Sequence, residues 1–387
     1  MIPYGRQDIN QQDIEAVVGV LRSDFLTQGP VVPRFETEIA GYCGAEYGVA
    51  LNSATSALHV ACLALGLGPG DILWTSPISF VASANCAIYC GAQVDFVDID
   101  PNTYNMSVEA LESKLISAEI KGQLPKIVIP VHLSGQSCEM ELIHKLAKKY
   151  KFKIIEDASH AVGGTYKNQL IGNCRYSDVT VFSFHPVKII TTAEGGMALT
   201  NQADLAEKMA LLRSHGITRE PGKMDREPDG PWYYQQIDLG FNYRMTELQA
   251  ALGCSQLERL NEFVLKRQML SKQYNALLND LPIIIPYQHS DTLSSYHLYI
   301  IRLKKDEVQR SHKEVFTALR AANIGVNLHY IPIHTQPFYQ NLGFTAGDFP
   351  QAMSYYAEAI SLPLFPGLTN ADQQIIVEQL KQAILSS

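Results

Sequence analysis

Between residues 47 and 156 the chain alternates between short apolar runs and longer segments with helical spacing of apolar side chains. The apolar runs are rich in Val, Ile and aromatic residues, and they predict strands at 47–51, 72–76, 94–99, 126–132 and 153–156. The intervening segments predict helices, among them 79–90, 108–120 and 140–150. Continuous apolar strands separated by amphipathic helices are typical of a mostly parallel sheet covered on both faces. The pattern therefore predicts an α/β fold.

The stretch 179–200, VTVFSFHPVKIITTAEGGMALT, predicts two buried strands on either side of a segment that carries Lys188. Pro186 ends the first strand, and Gly195–Gly196 allows a tight turn before the second. Lys188 is the only Lys, Arg, Asp or Glu between Asp178 and Glu194, so burial should lower the pKa of its amine. A lowered pKa prepares an amine to attack a carbonyl and form a Schiff base. The alternative is a lysine that extends from a surface loop into water.

The alternation of apolar strands with helices is no longer clear after Thr200. A helix is predicted at 204–214, a long polar loop at 216–236 and one long helix at 245–277. Near the N-terminus, a first helix is predicted at 9–22. The strand predicted at 295–303, the helix at 313–322 and two C-terminal helices around the turn 362–367 indicate a smaller α+β unit. We therefore predict an N-terminal arm and helix at 1–22, a large α/β domain at 23–260 and a small domain at 261–387.

Composition argues against several classes of function. The chain has 387 residues, 46% apolar and 18% charged, and a net charge of −8 that argues against binding nucleic acid. No signal-peptide pattern and no apolar run of 18 residues is present, so no membrane span is expected. Seven cysteines without a CxxC pair or a Cys/His zinc spacing predict free thiols, no metal site and a cytoplasmic protein.

Small and polar residues follow several of the predicted strands. The turn 52–58, NSATSAL, leads from a strand into a helix, and free N–H groups at a helix start bind anions such as phosphate. A plain N-cap formed by Ser53 or Thr55 is the alternative. Asp157 ends the strand 153–156 and should face the cleft, whereas Glu156 should point to the opposite side. Ligands bind beyond the carboxyl ends of such strands, and Phe80, 157–160 and 183–188 fall there as well.

Several motifs then occur together in one order: NSATSAL, the segment 77–80, EDASHA at 156–161, SFHPVK with TTAEGG, and GFNYR. Together they resemble the DegT-type sugar aminotransferases, which are pyridoxal-phosphate enzymes of the aspartate-aminotransferase-like fold type I. The resemblance covers essentially the whole chain. The segments NSATSAL, SFHPVK and LRSHG are most similar to the branch that aminates C4 of a UDP-linked 4-keto-6-deoxy sugar in pseudaminic acid biosynthesis.

The resemblance implies a set of roles in and around the 23–260 domain. Lys188 would hold the cofactor through a Schiff base, Asp157 would pair with its ring nitrogen, and His160 would bond its phenolic oxygen. Phe80 would stack on the ring, for which an ordinary core phenylalanine is the alternative. The residues implied to hold the phosphate are Ala54, Thr55, Ser56 and Ser183. Asn242 is implied to reach the neighbouring subunit's site. Residues implied to face the nucleotide sugar are Tyr4, Asp24, Phe25, Leu26, Thr27, His329, Tyr330, Ile331 and Pro332, with His185 and Arg244 as weaker candidates.

The implied reaction transfers the amino group of glutamate to the sugar C4 ketone, giving UDP-4-amino-4,6-dideoxy-N-acetyl-β-L-altrosamine, in a homodimer with two shared sites. One rival is a nucleotide-sugar 4-aminotransferase for perosamine, 4-amino-4-deoxyarabinose or a dTDP-4-amino-4,6-dideoxy sugar. A second is a sugar dehydratase of the same fold, whose relatives replace the lysine with histidine, against which Lys188 speaks. A third is a non-catalytic regulator, which the intact set of Lys188, Asp157 and Ser183 disfavours.

Overall fold

The strands of the chain are short, and most of them lie in the first half. The computed structural model describes residues 1–385. Its strands are β1 (Tyr47–Leu51), β2 (Ile72–Thr75), β3 (Gln93–Phe96), β4 (Ile127–Ile129), β5 (Lys153–Asp157), β6 (Thr165–Tyr166), β7 (Gln169–Leu170), β8 (Val179–Ser183), β9 (Gly196–Thr200), β10 (Ile217–Thr218), β11 (Gln235–Gln236), β12 (Ile283–Ile284), β13 (Thr292–Leu293), β14 (Tyr299–Leu303) and β15 (Ala359–Leu362).

The helices alternate with these strands. They are α1 (Gln11–Leu21), α2 (Val31–Cys43), α3 (Ala54–Ala64), α4 (Ala82–Tyr89), α5 (Val108–Lys121), α6 (Met140–Tyr150), α7 (Ala203–Arg213), α8 (Glu247–Glu258), α9 (Leu260–Leu278), α10 (His312–Ala321), α11 (Pro337–Gln340), α12 (Pro350–Tyr356) and α13 (Asn370–Leu385). Within residues 1–385, no helix is long and apolar enough to cross a membrane.

A seven-stranded sheet forms the centre of the molecule, in the order β1-β9-β8-β5-β4-β2-β3. The ladders between β2, β3, β4, β5 and β8 are parallel, and β9 runs antiparallel to both β8 and β1. Alternate strand residues pack into different cores. Ile127 and Ile155 face one apolar cluster, and Val128 and Ile154 face another. The sheet is thus buried on both faces, which confirms the predicted mostly parallel α/β architecture.

A smaller C-terminal unit packs helices against a second sheet. Strands β12, β14 and β15 pair antiparallel, and α9, α10 and α13 contribute to the same apolar core. The N-terminal arm attaches to this unit, because Ile2 accepts the Gly325 N–H and Tyr4 accepts the Leu364 N–H. The residue boundaries of the domains stay a prediction.

Several predicted elements were wrong in length. The strands predicted at 94–99 and 295–303 are the shorter β3 and β14. The single helix predicted at 245–277 is two helices, because Arg259 leaves helical geometry at φ −103° and ψ 2°. Its guanidinium donates to the carboxylates of Asp8 and Asp13 at 2.6 Å each, which ties the break to the N-terminal segment. The strand predicted at 126–132 is only β4, because Pro130 has no N–H to continue the ladder.

Candidate active site

A cavity of about 950 Å³ opens beside the ends of β1, β5 and β8. Its size suits a small-molecule ligand. The predicted site residues that line it are Tyr4, Ala54, Thr55, Ser56, Phe80, Asp157, His160, Ser183, His185, Lys188, His329 and Tyr330. They come from six separate stretches of sequence, which the fold brings to one place.

Lys188 lies in the loop between β8 and β9. The loop is closed by backbone hydrogen bonds, since the Phe184 N–H donates to Gly195 O and the Thr192 N–H to Phe184 O, each at 2.9 Å. Burial lowers the pKa of the Lys188 amine to about 8, and the Asp157 charge opposes part of that shift. The lowered pKa predicted from the sequence is confirmed. Lys188 lines the cavity and is not a lysine extended into water.

Asp157 ends β5 with its carboxylate in the cavity. Its Oδ2 accepts the Ser83 hydroxyl at 2.6 Å and its Oδ1 accepts the Ser159 N–H at 3.1 Å. Glu156 faces the other side of the strand, where His132 and Ser177 bond to it. The alternation predicted for these two acids is confirmed. A buried carboxylate with donors on both oxygens keeps a lone pair on each oxygen for a ligand.

The N-terminus of α3 forms the end of the cavity that is suited to an anion. Ser53 caps the helix in an extended conformation and accepts the Ser56 N–H at 3.1 Å, while the Ser56 hydroxyl donates to Asn52 Oδ1 at 2.7 Å. The N–H groups of Ala54 and Thr55, in the first turn, have no intrahelical partner and carry the positive end of the helix dipole. The N-cap by Ser53 is confirmed, and it leaves these N–H groups free, so the predicted anion site is compatible with it.

Gly196 lies behind this turn. A Cβ at that position would come within 2.5 Å of the Ala54 nitrogen and of the Ser53 carbonyl carbon. The helix start can therefore approach β9 only because residue 196 is glycine.

His160 and Tyr330 meet on one wall of the cavity. His160 Nδ1 accepts the Ser134 N–H at 3.3 Å, so its proton is on Nε2, which lies 3.0 Å from the Tyr330 hydroxyl. Burial, with the Lys188 charge, holds the pKa of His160 well below its usual range, so the ring is neutral. The His297 ring stands 4.4 Å from it, centroid to centroid.

Two further aromatic contacts lie beside this wall. The Tyr4 and His329 ring centroids are 5.4 Å apart, and burial lowers the pKa of His329 to about 3. Phe80 is 59% exposed, with its centroid 6.3 Å from that of Tyr330. Phe80 is therefore not a core phenylalanine, and one face of its ring is available to a ligand.

The other predicted residues do not line this cavity in the single chain described by residues 1–385. They are Asp24, Phe25, Leu26, Thr27, Asn242, Arg244, Ile331 and Pro332. Asp24 to Thr27 and Asn242 are exposed, whereas Pro332 is buried. Arg244 pairs with Leu51, and Asn242 pairs with Ser214, through backbone bridges. Their contact with substrate, in this chain or a second one, stays a prediction.

Several residues of the site were missed from the sequence. Ser79, Glu194, Gln249, His297 and Asn327 line the cavity, and Ser83 supports it from behind. Gln249 offers a signal, because Thr246 and Gln249 form a capping box, and the Gln249 side chain also donates to Glu194 O at 2.7 Å. His297 lies just before the buried strand β14, and nothing in its sequence context signals a role in the site. Among residues 1–385, no group of three or more His, Cys, Asp or Glu side chains is arranged to hold a metal ion.

Comparison with known proteins gives a consistent assignment. The sequence profile of the DegT/DnrJ/EryC1/StrS aminotransferase family matches residues 7–381. The chain is 38% identical over 386 residues to the spore coat polysaccharide biosynthesis protein SpsC of Bacillus subtilis, covering 99% of this chain and 97% of SpsC. It is 37% identical over 385 residues to the UDP-4-amino-4,6-dideoxy-N-acetyl-beta-L-altrosamine transaminase of Campylobacter jejuni, covering 98% and 96% of the two chains. Relatives of 34% and 36% identity are named for UDP-4-amino-4-deoxy-L-arabinose and GDP-perosamine, respectively.

Solved structures agree with the sequence matches. Helicobacter pylori PseC, an aminotransferase involved in the biosynthesis of pseudoaminic acid, superposes with a TM-score of 0.91 at 32% identity and covers 100% of both chains. Spr1654 of Streptococcus pneumoniae, solved in its PLP form, has a TM-score of 0.88 at 30% identity and covers 99% of this chain and 98% of its own.

The cavity fits pyridoxal phosphate by its chemistry. It offers an amine of lowered pKa for an aldehyde, a carboxylate with free lone pairs for a ring N–H, and a helix N-terminus for a phosphate. The profile match over residues 7–381 and this set of groups lead to one conclusion: the chain belongs to the DegT/DnrJ/EryC1/StrS family and is a pyridoxal-phosphate-dependent aminotransferase.

Proposed function

We propose that this protein transfers the amino group of glutamate to C4 of a UDP-2-acetamido-2,6-dideoxy-4-keto-hexose of the L-arabino configuration. The products are 2-oxoglutarate and UDP-4-amino-4,6-dideoxy-N-acetyl-β-L-altrosamine. The observation that carries the reaction is the Lys188 amine, which lines the same cavity as Asp157 and has a pKa of about 8.

Lys188 has two tasks in this proposal. At a pKa of about 8, roughly one amine in ten is uncharged at pH 7, against about one in three thousand at the ordinary value. The uncharged Nζ would hold the cofactor at its aldehyde carbon with release of water, and once the donor's amine has replaced it, Nζ would carry the proton that leaves the donor's Cα to the cofactor. Bound pyridoxal phosphate supplies the electron sink for that proton transfer.

Other residues of this chain hold the cofactor in the proposal. Asp157 accepts the ring N–H, and the N–H groups of Ala54 and Thr55, with the hydroxyls of Ser56 and Ser183, bind the phosphate. Phe80 covers one face of the ring. His160 is neutral and donates its Nε2 proton to Tyr330, so the Tyr330 O–H, held by His160, is the donor left for the phenolic oxygen. Each assignment rests on the side chain's position in the cavity.

The sugar diphosphate needs positive potential on a chain whose net charge is −8. The loop 216–236 contributes three candidate cations, Arg219, Lys223 and Arg226. Lys223 already lies 3.0 Å from Glu207 and 2.9 Å from Glu220, and Arg226 lies 3.4 Å from Asp229. Those ion pairs reduce what these two side chains offer a ligand. Arg219 and Arg244 remain the candidates for the diphosphate, with His185 at the cavity wall.

The proposal also includes a second subunit. Asn242 and the segment 24–27 lie outside the cavity of their own chain and are exposed. In the proposal they reach the site of a partner in a C2 homodimer, the commonest closed symmetry of soluble oligomers.

The experiment is a coupled assay of the purified protein with glutamate and the UDP-4-keto sugar, in which 2-oxoglutarate and the amino sugar are both quantified. Equal amounts of the two products support the proposal. Consumption of sugar without 2-oxoglutarate would indicate dehydration, and no turnover of any 4-keto sugar would contradict an enzymatic role. The second candidate is amination of another nucleotide-linked 4-keto sugar, and it is favoured by relatives of similar identity that carry such names.

A further inference from the structure

A chain of hydroxyl groups reaches the Asp157 carboxylate from α4. The Ser83 hydroxyl donates to Asp157 Oδ2 at 2.6 Å, and the Ser79 and Ser83 hydroxyl oxygens are 2.7 Å apart. Ser79, Ser83 and Asp157 are 3%, 0% and 5% exposed. Hydrogen bonds between groups this well buried do not compete with bulk water, so they fix geometry strongly.

The direction of this chain follows from proton counting. A serine hydroxyl has one proton to donate, and Ser83 gives its proton to Asp157. The Ser83 oxygen therefore accepts from Ser79, whose hydroxyl donates. Ser79 lines the cavity, whereas Ser83 does not and cannot touch a ligand there.

Ser83 lies in the first turn of α4, and Ser79 lies in the loop three residues before that helix begins. Phe80, next to Ser79, is exposed at the cavity, and its carbonyl accepts the Ser83 N–H at 3.2 Å. One segment therefore carries both an aromatic ring at the cavity and the hydroxyl that holds the carboxylate.

We propose that Ser83 is a positioning residue that acts through Asp157. It fixes the rotation of the carboxylate, with Ser159 on the other oxygen, so that a free lone pair points at the cofactor's ring nitrogen. Ser79 orients Ser83 in turn. The inference rests on the proposed pairing of Asp157 with that nitrogen.

The test compares the variants Ser83→Ala, Ser79→Ala and Asp157→Asn, and the double variant Ser83→Ala with Asp157→Asn. The readouts are the dissociation constant of pyridoxal phosphate and the nitrogen-15 chemical shift of the labelled cofactor's ring nitrogen. Loss of a hydrogen bond to a charged group should weaken cofactor binding about tenfold in Ser83→Ala. Ser79→Ala should have a smaller effect, because Ser83 keeps its bond to Asp157.

A matched control lies on the other face of the same strand. Ser177 donates to the buried Glu156 carboxylate, which Thr180 also bonds. Ser177→Ala removes the same kind of bond, but from the acid that faces away from the cavity. It should leave both readouts at the wild-type values, whatever it does to the thermal midpoint.

The outcomes distinguish the role of Ser83 from the role of Asp157. In the Asp157→Asn background, Ser83→Ala should add nothing further, since its effect passes through the carboxylate. A fall in thermal stability of Ser83→Ala without a change in the nitrogen shift would overturn the inference and leave the role of Asp157 intact. Unchanged binding and shift in Asp157→Asn would overturn both. If Ser83→Ala does not fold, the comparison of Ser79→Ala with Ser177→Ala tests the inference by the same two measurements, the cofactor's dissociation constant and the nitrogen-15 shift.

Discussion

The Ser134 N–H determines which way the His160–Tyr330 hydrogen bond runs. It donates to His160 Nδ1, so the imidazole proton is on Nε2 and is donated to the Tyr330 hydroxyl at 3.0 Å. The Tyr330 O–H is then free to donate into the cavity. Burial also raises the pKa of this phenol, which keeps it protonated.

We therefore expect Tyr330→Phe to lower kcat/KM by about 5- to 150-fold, the equivalent of one lost hydrogen bond to a reacting or binding group. His160→Gln should lose less, because an amide can both accept from Ser134 and donate to Tyr330. Steady-state kinetics on both variants measures the difference. An equal loss in the two would show that the imidazole acts in some other way.

The pKa of Lys188 predicts a pH dependence in cofactor capture. Only the uncharged amine reacts, so the capture rate of apoprotein should rise with pH through a midpoint of about 8. The folded pKa lies below the unfolded one, so the folded state holds fewer protons between about 8 and 10.5, and apoprotein stability should increase with pH over that range.

Stopped-flow mixing of apoprotein with pyridoxal phosphate gives the midpoint, and Lys188→Ala is the control. That variant should bind the cofactor without covalent retention after borohydride treatment and should lose turnover. A midpoint near the ordinary lysine value, or near-normal turnover of Lys188→Ala, would contradict the assignment.

Gly196 offers a test of the anion site. Gly196→Ala places a methyl group against the Ser53–Ala54 peptide, so we expect the first turn of α3 to move and cofactor affinity to fall by at least about tenfold. Gly41→Ala is the matched control. Gly41 is an exposed residue within α2 whose Cβ would meet no atom within 4 Å. It should bind cofactor normally and gain about 0.5–1 kcal/mol of stability.

Shared sites predict complementation between inactive subunits. Mixing Lys188→Ala with Asn242→Ala chains should restore one working site in each hybrid dimer, because one site then has both residues intact. Activity after verified subunit exchange is the measurement. Hybrids that stay inactive would count against the proposed contribution of Asn242 across the interface.

The sugar assignment predicts a preference. A pocket with buried partners for the C2 acetamido group leaves them unpaired when that group is missing, at about 1–3 kcal/mol for each orphaned group. We expect kcat/KM for the UDP-2-acetamido-4-keto-6-deoxyhexose to exceed that for dTDP-4-keto-6-deoxyglucose by at least about tenfold. Parallel kinetics with glutamate as donor measures the ratio. Equal kcat/KM values for the two sugars would contradict the proposed sugar substrate but not the aminotransferase activity.

Sequence reasoning succeeded where one local rule decides the structure. Strand alternation separated Asp157 from Glu156, and an isolated charge in an apolar stretch identified Lys188. It failed where a distant contact decides. At the helix break, Arg259 bonds Asp8 and Asp13 from the far N-terminal segment, and arginine is otherwise a good helix former.

The supporting residues show the same limit. Ser83 is a small residue in a helix, and nothing in its neighbourhood along the chain distinguishes it from a packing serine. Its function is visible only once β5 brings Asp157 to 2.6 Å from its hydroxyl. Residues that act through another residue are therefore the part of a site that sequence patterns reveal least.

Gly196 pairs with Leu51 on one side and with Ser183 on the other. Neighbouring strands lie about 4.8 Å apart, so β9 holds the ends of β1 and β8 roughly 10 Å apart. The turn that starts α3 follows Leu51, and the loop of Lys188 follows Ser183. The width of one strand therefore sets the span between the two strand ends from which the α3 turn and the Lys188 loop begin. That span is fixed by the backbone ladders, so side chains on the cavity wall can change in sequence without altering it.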